Sequence, residues 1–372
     1  MERPRSYLKA KIIAAVLLTL FILAHPAKCE ESFRRGLFVS VIQEPPVLSC
    51  REDIYKLVAF AKKYHIRTLF VQIYYANKAW FPSQIADRAP YDECVKSVSE
   101  DPMALLIREA RLAGIEVHAW VNMLSLCANK DAPLLKKYGP GILTRNLKGK
   151  RSIDDYKIDN QYFLEPGDPR VRQYLLDIVG EILKAYPDLD GIQFDYIRYP
   201  DKDPEYGYTK MNMERFKKTT GNATIDECSQ TWKDWKSAQV TELLEALIGR
   251  TREFRKDIRI SATGCMPYSR ALFEAYQNWP SWINNGLIDF VTVMSYSPYP
   301  DEFERSISNA KGRVVDFKKV NIALGAYRLI RLPGIFRREY EICKGAGAGG
   351  YVIFHYGSLL EDPALSECLA TH

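Results

Sequence analysis

A short apolar segment, from Leu189 to Pro200, carries a carboxylate near its C-terminal end. A turn before it and a proline after it predict a buried β-strand. Because side chains alternate along a strand, Gly191, Gln193 and Asp195 share one face, and apolar residues occupy the other. In a parallel α/β barrel the C-terminal strand ends carry the catalytic groups. The segment therefore predicts a catalytic Asp195 if the rest of the chain builds such a barrel.

Arg198, three residues after Asp195, allows two interpretations. A nearby guanidinium favours the ionised form of a carboxylate, which suits a catalytic Asp195 and a substrate-binding Arg198. Alternatively, the two side chains form a salt bridge that only closes the strand. The choice between them depends on the elements that surround the segment.

Eight segments of strand length alternate with segments of helical periodicity along the chain. The predicted strands are residues 36–42, 68–75, 115–123, 189–200, 259–266, 290–296, 321–327 and 350–356. The predicted helices lie near residues 51–64, 102–114, 169–186, 232–255, 271–284, 303–317 and 334–344. This order predicts an α/β fold, a (β/α)8 TIM barrel formed as one domain by residues 30–372. A doubly wound open sheet is the alternative.

Two further features of the chain bear on the site. The Asp-Pro pairs at 101–102 and 168–169 combine an N-cap with a proline at the first helical position, so they predict two helix starts. Residues 124–166 form a predicted loop that is too long for a connector, and we expect it to be part of the site.

Three blocks of sequence resemble one known family. They are Gly114–Asn122 around the third strand, Leu164–Arg172 before the following helix, and Asp190–Pro200 around the fourth strand. Together they are similar to the bacterial glycosyl-hydrolase-like barrels of the YngK type, often labelled family-10-like glycosylhydrolases, over most of residues 33–360. The resemblance implies a TIM barrel that acts on a polysaccharide, with the aspartate of the fourth strand at its centre.

The chain departs from the family's pattern at three positions. The family often has His where Gln193 stands and a second Asp where Tyr196 stands, and it usually has Asn at the position of Glu165. The fourth strand is also similar to the chitinase pattern D-G-x-D-x-D-x-E. However, Gln193 replaces an aspartate of that pattern and Ile197 replaces its catalytic glutamate, which disfavours a chitinase mechanism.

Glycoside hydrolysis needs a second carboxyl group, because one must be protonated and the other ionised. Asp195 suits the ionised role, as nucleophile or as base. The candidates for its partner are Glu165 in the long loop, Asp301 after the sixth strand and, with less support, Glu44 after the first strand. Structural roles compete with the first two, since Glu165 suits a turn or cap and Asp301 suits an N-cap.

Aromatic residues gather near the predicted C-terminal strand ends, which favours a sugar site because flat rings stack on pyranose faces. They are Tyr74, Trp80, Trp120, Tyr196, Tyr199, Tyr296, Tyr299 and Tyr356. Of these we expect Tyr74, Trp120, Tyr296 and Tyr356 to bind substrate. His118 and Asn122 share a strand face with Trp120 and are further substrate-binding candidates, together with Gln193 and Arg198. An interior packing role for His118 is the alternative.

The N-terminal segment, residues 1–29, has the layout of a secretory signal peptide. Four basic residues precede an apolar run from Ile12 to Ala24, and Ala27-Lys28-Cys29 offers small residues for cleavage. The run is short for a membrane span, so we expect a secreted or periplasmic protein without a span after cleavage. An uncleaved anchor is the alternative. The segment also holds much of the formal net charge of +6. The remaining sequence shows no basic stripe that would predict nucleic-acid binding.

Without Cys29, seven cysteines remain, an odd number. Export permits disulfides, and the predicted element order suggests Cys228–Cys265, Cys94–Cys127 and Cys343–Cys368, with Cys50 unpaired. The alternative is that several or all stay thiols. Their spacing, like that of the histidines, lacks the pairing of a metal site, and we expect neither a metal nor a cofactor.

Other reaction classes find little support. Residues 345–350 are glycine-rich but precede a strand, so they do not suit a phosphate-binding loop. The sequence predicts an exported glycoside hydrolase that acts on a cell-wall or environmental polysaccharide. A non-catalytic carbohydrate-binding barrel is one alternative, and a lyase or deacetylase using the same cleft is another.

Overall fold

Eight parallel strands close into a barrel in the computed structural model, which describes residues 33–156, 160–201 and 205–370. The strands are β1 (Arg34–Val39), β2 (Thr68–Tyr75), β3 (Glu116–Asn122), β4 (Gly191–Asp195), β5 (Arg259–Cys265), β6 (Phe290–Ser295), β7 (Val320–Leu324) and β8 (Gly350–Ile353). Strands pair in chain order, and β1 pairs with both β2 and β8. The predicted (β/α)8 barrel is confirmed, and the open sheet is wrong. The predicted signal peptide lies outside the described residues.

Helices surround the barrel. They are α1 (Arg51–Lys63), α2 (Ala89–Val98), α3 (Pro102–Leu112), α4 (Pro133–Tyr138), α5 (Ser152–Asp155), α6 (Pro169–Ala185), α7 (Lys210–Thr220), α8 (Gln230–Phe254), α9 (Tyr268–Phe273), α10 (Trp279–Asn284), α11 (Pro300–Lys311), α12 (Pro333–Ala346), α13 (Tyr356–Glu361) and α14 (Pro363–Ala370). Both predicted N-caps are confirmed, because Asp101 accepts from the backbone N–H of Ala104 and Asp168 from that of Arg170, each at 2.9 Å.

The predicted helix 271–284 is wrong as a single element, since α9 and α10 are separate. Gln277 lies between them, and its buried carboxamide forms hydrogen bonds with backbone groups at the ends of two strands. It accepts a hydrogen bond from the backbone N–H of Cys265 at 2.8 Å and donates to the carbonyls of Ile197 and Thr263, each at 3.1 Å. These bonds satisfy backbone groups just beyond β4 and within β5 that would otherwise be buried without partners.

The long segment after β3 is structured. Ser125–Cys127 and Tyr162–Phe163 pair as a short antiparallel ribbon, with α4 and α5 between them. An isolated bridge joins Asn146 of this segment to Tyr206 of the loop after β4. The two loops beyond neighbouring strands therefore form one layer beside the C-terminal end of the barrel.

The barrel interior is filled by side chains from alternate strand positions, as barrels of this size require. Its apolar cluster consists of Phe38, Phe70, Trp120, Phe290, Ala323 and Val352. At the N-terminal end, Glu116 forms ion pairs with Arg259 at 3.1 Å and with Arg34 at 3.5 Å. These ion pairs join β1, β3 and β5 at this end of the barrel.

The described residues contain none of the three predicted disulfides. The Cys94 thiol lies 3.4 Å from the Ser49 hydroxyl, and that of Cys368 lies 3.5 Å from the carbonyl oxygen of Pro333. Over the same residues, no helix is long and apolar enough to cross a membrane.

Candidate active site

Asp195 ends β4 with its carboxylate at the C-terminal mouth of the barrel. Only 4% of the residue is exposed. Oδ2 accepts a hydrogen bond from Trp120 Nε1 at 2.9 Å, and Oδ1 accepts from the backbone N–H of Tyr196 at 2.7 Å and from the Thr263 hydroxyl. Three donors on three neighbouring strands or strand ends thus fix the orientation of this carboxylate. This arrangement suits the ionised form, because an ionised carboxylate only accepts hydrogen bonds and all three neighbours donate.

The strand register explains this arrangement. Asn122 pairs with Asp195 and Trp120 with Gln193, so these side chains lie at successive levels of the interior. Phe194 pairs with Ala262, which places Thr263 one step further along β5, at the level of Asp195. The predicted shared face of Gly191, Gln193 and Asp195 is confirmed.

Arg198 does not pair with Asp195, so the predicted salt bridge is wrong. Its Nη1 instead lies 3.1 Å from Asp201 Oδ1, and Asp201 also accepts hydrogen bonds from Arg270 and from the Tyr156 hydroxyl. Burial opposes ionisation of Asp201, but the two guanidinium groups outweigh it and lower the pKa of this carboxyl to about 2. Arg198 is 7% exposed and holds the loop after β4 in place.

An open pocket of about 280 Å³ lies at the C-terminal ends of β5 and β6. The residues that line it are Met266, Pro267, Met294, Ser295, Tyr296, Ser297, Glu302, Arg305, Ser306 and Asn309. Tyr296 connects this pocket to the catalytic candidate, because burial and then the negative charge of Asp195 raise the pKa of its hydroxyl well above the usual value. The pocket and Asp195 therefore belong to one region of the mouth.

Aromatic rings form one wall of this region. Tyr296 packs against Tyr327 and Phe354, with ring centroids 5.8 and 5.4 Å away, and Phe354 also packs against Trp120 at 6.0 Å. Tyr327 is 40% exposed. The wall thus runs from the indole that holds Asp195 to a ring that solvent reaches.

Two other predicted substrate-binding tyrosines lie away from this region. Tyr74 is buried between β2 and α6, where its hydroxyl accepts a hydrogen bond from Asn77 at 2.8 Å. Tyr356 begins α13 and packs against Phe60 of α1, with centroids 5.1 Å apart. Both rings pack in the layer between strands and helices, so neither is brought to Asp195.

The interior polar residues lie at or below the level of Asp195. Gln193 donates to Thr292 Oγ1 at 2.9 Å, and the Oδ1 of Asn122 accepts from Gln72 at 3.1 Å. His118 is fully buried near the opposite end, 3.7 Å from Glu116, and its burial lowers its pKa. Asn122, beside Asp195, is the one of these three nearest the mouth.

Glu165 is fully buried in the loop layer. Its carboxyl accepts hydrogen bonds from Tyr199 at 2.5 Å, Thr144 at 3.1 Å and Thr209 at 3.3 Å. Burial raises its pKa to about 7, although these hydroxyls oppose the shift. A raised pKa suits a general acid, but both oxygens face protein hydroxyls, and no contact among the described residues joins Glu165 to Asp195.

Asp301 lies in the first turn of α11 and points outward. Its side chain is 82% exposed and pairs with Arg338 of α12 at 3.2 Å. The next residue, Glu302, lines the pocket instead. Glu44, the weakest sequence candidate, is exposed in the loop after β1.

Comparison with known proteins gives the family. A family model described as glycosyl hydrolase-like 10 matches residues 37–327. The chain belongs to the glycosyl hydrolase-like 10 family.

Two relatives share about a quarter of their aligned residues with this chain. The chain is 23% identical over 308 residues to glycosyl hydrolase DigH of Escherichia coli (strain K12), which covers 74% of this chain and 68% of that protein. It is 24% identical over 265 residues to glycosyl hydrolase YngK of Bacillus subtilis (strain 168), covering 66% and 49%. The fold is similar to that of the catalytic domain of β-amylase from Paenibacillus polymyxa, with a TM-score of 0.58 and 13% identity, covering 92% and 98%.

These matches confirm the resemblance seen in the sequence, and the structure shows what two of its departures do. At the first departure, the carboxamide of Gln193 donates a hydrogen bond to Thr292 Oγ1 across the barrel. At the position of the second aspartate, Tyr196 has a φ of +55° and places its ring 4.8 Å from the Arg198 guanidinium.

Sequence reasoning missed Thr263, Glu302 and Tyr327 as residues of this region. Thr263 had a usable signal, because it shares a face with Ser261 on a strand expected beside β4. Glu302 had none, since its direction depends on where α11 begins. Over the described residues, no group of three or more His, Cys, Asp or Glu is arranged to hold a metal ion.

Proposed function

We propose that this chain is an exported glycoside hydrolase that acts on a cell-wall or environmental polysaccharide, with Asp195 as its ionised catalytic carboxylate. The observation that carries the proposal is the fixing of Asp195 at the barrel mouth by Trp120, Tyr196 and Thr263. Membership of a glycosyl hydrolase-like family supports the reaction class. The basic and apolar character of residues 1–29 supports export.

The chemistry follows from charge. Cleavage of a glycosidic bond passes through an oxocarbenium-like transition state, which a fixed negative charge stabilises. Asp195 provides that charge either as a nucleophile at the anomeric carbon or as a base that takes a proton from water. Its three hydrogen-bond donors are already in place before a substrate binds, so the carboxylate need not reorient during the reaction.

The aromatic wall supports a sugar as the substrate. Tyr296 and Tyr327 offer flat faces with hydroxyl edges, which suit the apolar faces and the hydroxyl groups of a pyranose. The pocket beside them is open to solvent, as binding to part of a long chain requires.

The test is Asp195→Asn, which keeps size and removes the negative charge. We expect turnover to fall at least about 100-fold, in the range found for single electrostatic groups in active sites. The measurement is a reducing-sugar assay on a panel of polysaccharides, with thermal melts of both proteins. The matched control is Asp257→Asn, since Asp257 is exposed and forms an ion pair with Arg255 beside it; its turnover should equal that of the wild type.

Equal turnover by the wild type and Asp195→Asn would remove Asp195 from the mechanism. A large loss of melting temperature in Asp195→Asn would instead assign it to stability. Substrate affinity, measured by calorimetry, should change little, because the proposed charge acts mainly in the transition state.

A non-catalytic carbohydrate-binding barrel is the second candidate, and one observation favours it. Neither of the two stronger candidates for the partner of Asp195 is brought to it, because Glu165 is enclosed by hydroxyls and Asp301 points to solvent. In that case the wild type binds a polysaccharide of the panel and releases no sugar from any of them.

A further inference from the structure

The pocket beside Asp195 supplies a carboxylate that sequence reasoning did not select. Of the residues that line it, Glu302 is the one with an acidic side chain. Glycoside hydrolysis needs two carboxyl groups around one bond, and Glu165 and Asp301, the two stronger candidates for the partner of Asp195, lie elsewhere. Glu302 is therefore a candidate for the second carboxyl group.

The position of α11 directs Glu302 into the pocket. The helix begins at Pro300, directly after the loop that follows β6. Glu302, Arg305 and Asn309 are spaced by three and four residues, so they lie on one face, and all line the pocket. Asp301 lies on another face and reaches Arg338 of the neighbouring helix α12.

A hydrogen bond holds Glu302 at the strand end. Oε2 accepts from the hydroxyl of Ser297 at 2.9 Å, and Ser297 belongs to the same lining as Tyr296. A hydroxyl both donates and accepts, so it can hold the carboxyl group in its ionised and in its protonated form. Glu302 is exposed in the unbound protein, and a sugar chain in the pocket would cover it.

Asp195 is linked to the same region through Thr263 and Tyr296. Thr263, which donates to Asp195, is three residues before Met266 of the pocket lining. Tyr296 lines the pocket and experiences the charge of Asp195. A glycosidic bond in the pocket would thus have Asp195 towards β4 and Glu302 towards α11.

We propose that Glu302 is the second catalytic carboxyl group and protonates the leaving oxygen, an inference that rests on the proposed function above. As the bond between the anomeric carbon and the glycosidic oxygen breaks, its electron pair stays on that oxygen, which takes the proton of Glu302. The anomeric carbon receives a new bond either from water that gives a proton to Asp195 or from Asp195 itself. In the second case water later replaces Asp195 and returns its proton to Glu302.

The test compares Glu302→Gln with Glu304→Gln, a matched change on the exposed side of the same helix. Two substrates are used for each: a polysaccharide that the wild type hydrolyses, and a dinitrophenyl glycoside of the same sugar, whose leaving group needs no protonation. We expect Glu302→Gln to lose about 10²- to 10⁴-fold in kcat/KM on the polysaccharide, the usual contribution of a general acid. It should lose less than about tenfold on the dinitrophenyl glycoside.

Each other result is decisive. Glu302→Gln with wild-type turnover on both substrates would overturn this inference and leave the proposed function standing. Equal losses on both substrates by a Glu302→Gln protein that melts like the wild type would overturn the proton-donor role. If thermal melts show that Glu302→Gln misfolds, Ser297→Ala is used instead, because it keeps the carboxyl group. Ser297→Ala must then show the same substrate-dependent loss in weaker form. A wild type that hydrolyses no polysaccharide and no aryl glycoside would overturn both proposals. Turnover by Glu304→Gln should match the wild type in every case.

Discussion

Gly191 and His118 face each other inside the barrel, where the register pairs their Cα atoms. A Cβ atom on Gly191 would lie 2.2 Å from His118 Nδ1. The imidazole cannot move aside easily, because the rings of Phe70 and Phe290 lie 5.2 and 5.9 Å from it. The glycine two residues from Gln193 is thus required by packing in the barrel interior.

We expect Gly191→Ala to destabilise the protein by about 1–3 kcal/mol or more, the cost of adding a methyl group to a filled core. The free energy of unfolding in urea measures this. Gly249→Ala is the matched control: Gly249 lies in α8 with open space around its Cα, so alanine there should add about 0.5–1 kcal/mol of stability. A stable Gly191→Ala protein with an unmoved midpoint would show that His118 is free to shift.

At the scale of single elements, α12 carries a buried acid. Glu339 is 1% exposed, and its Oε1 has no hydrogen-bond partner among the described residues. Burial raises its pKa from about 4.5 to about 8. Between these values the folded protein holds a proton that the unfolded chain releases, so the free energy of unfolding falls as the pH rises.

We expect Glu339→Gln to remove part of this pH dependence. The free energy of unfolding of the wild type should fall from pH 5 to pH 8. The upper limit of this fall is about 1.4 kcal/mol for each unit by which the pKa of Glu339 is raised. The variant should be the more stable protein at pH 8 and should keep the smaller slope that Glu165, with a pKa of about 7, contributes in the same direction. Urea unfolding at pH 5, 6.5 and 8 measures it, and Glu245→Gln, on an exposed position of α8, should follow the wild type. Parallel curves for Glu339→Gln and the wild type would contradict the assignment.

At the scale of the whole molecule, the described barrel begins after the predicted signal peptide, with β1 starting at Arg34. We propose that export removes residues 1–29 and leaves this barrel intact. N-terminal sequencing of secreted protein should therefore give a start near Glu30, and its intact mass should be lower by the mass of the removed segment. Secreted material that begins at Met1 would contradict the proposal.

The strand order of the barrel could be predicted because it depends on local pattern. Apolar segments of strand length alternate with helical periodicity, and parallel strands joined by helices have few ways to pair. The same local rule placed Gly191, Gln193 and Asp195 on one face. The split between α9 and α10 could not be predicted, since the carboxamide of Gln277 bonds backbone groups of β5 and the loop after β4.

By itself, the sequence determined the barrel, the family resemblance and the position of Asp195 at a strand end, since each follows from residues close together in the chain. Only the tertiary structure decided the partners of the charged groups. Arg198 bonds Asp201, Glu165 meets three hydroxyls, and Glu302 lines the pocket while Asp301 does not. The physical reason is that a charged side chain on a loop takes its direction from groups distant in sequence, which compete to compensate its desolvation.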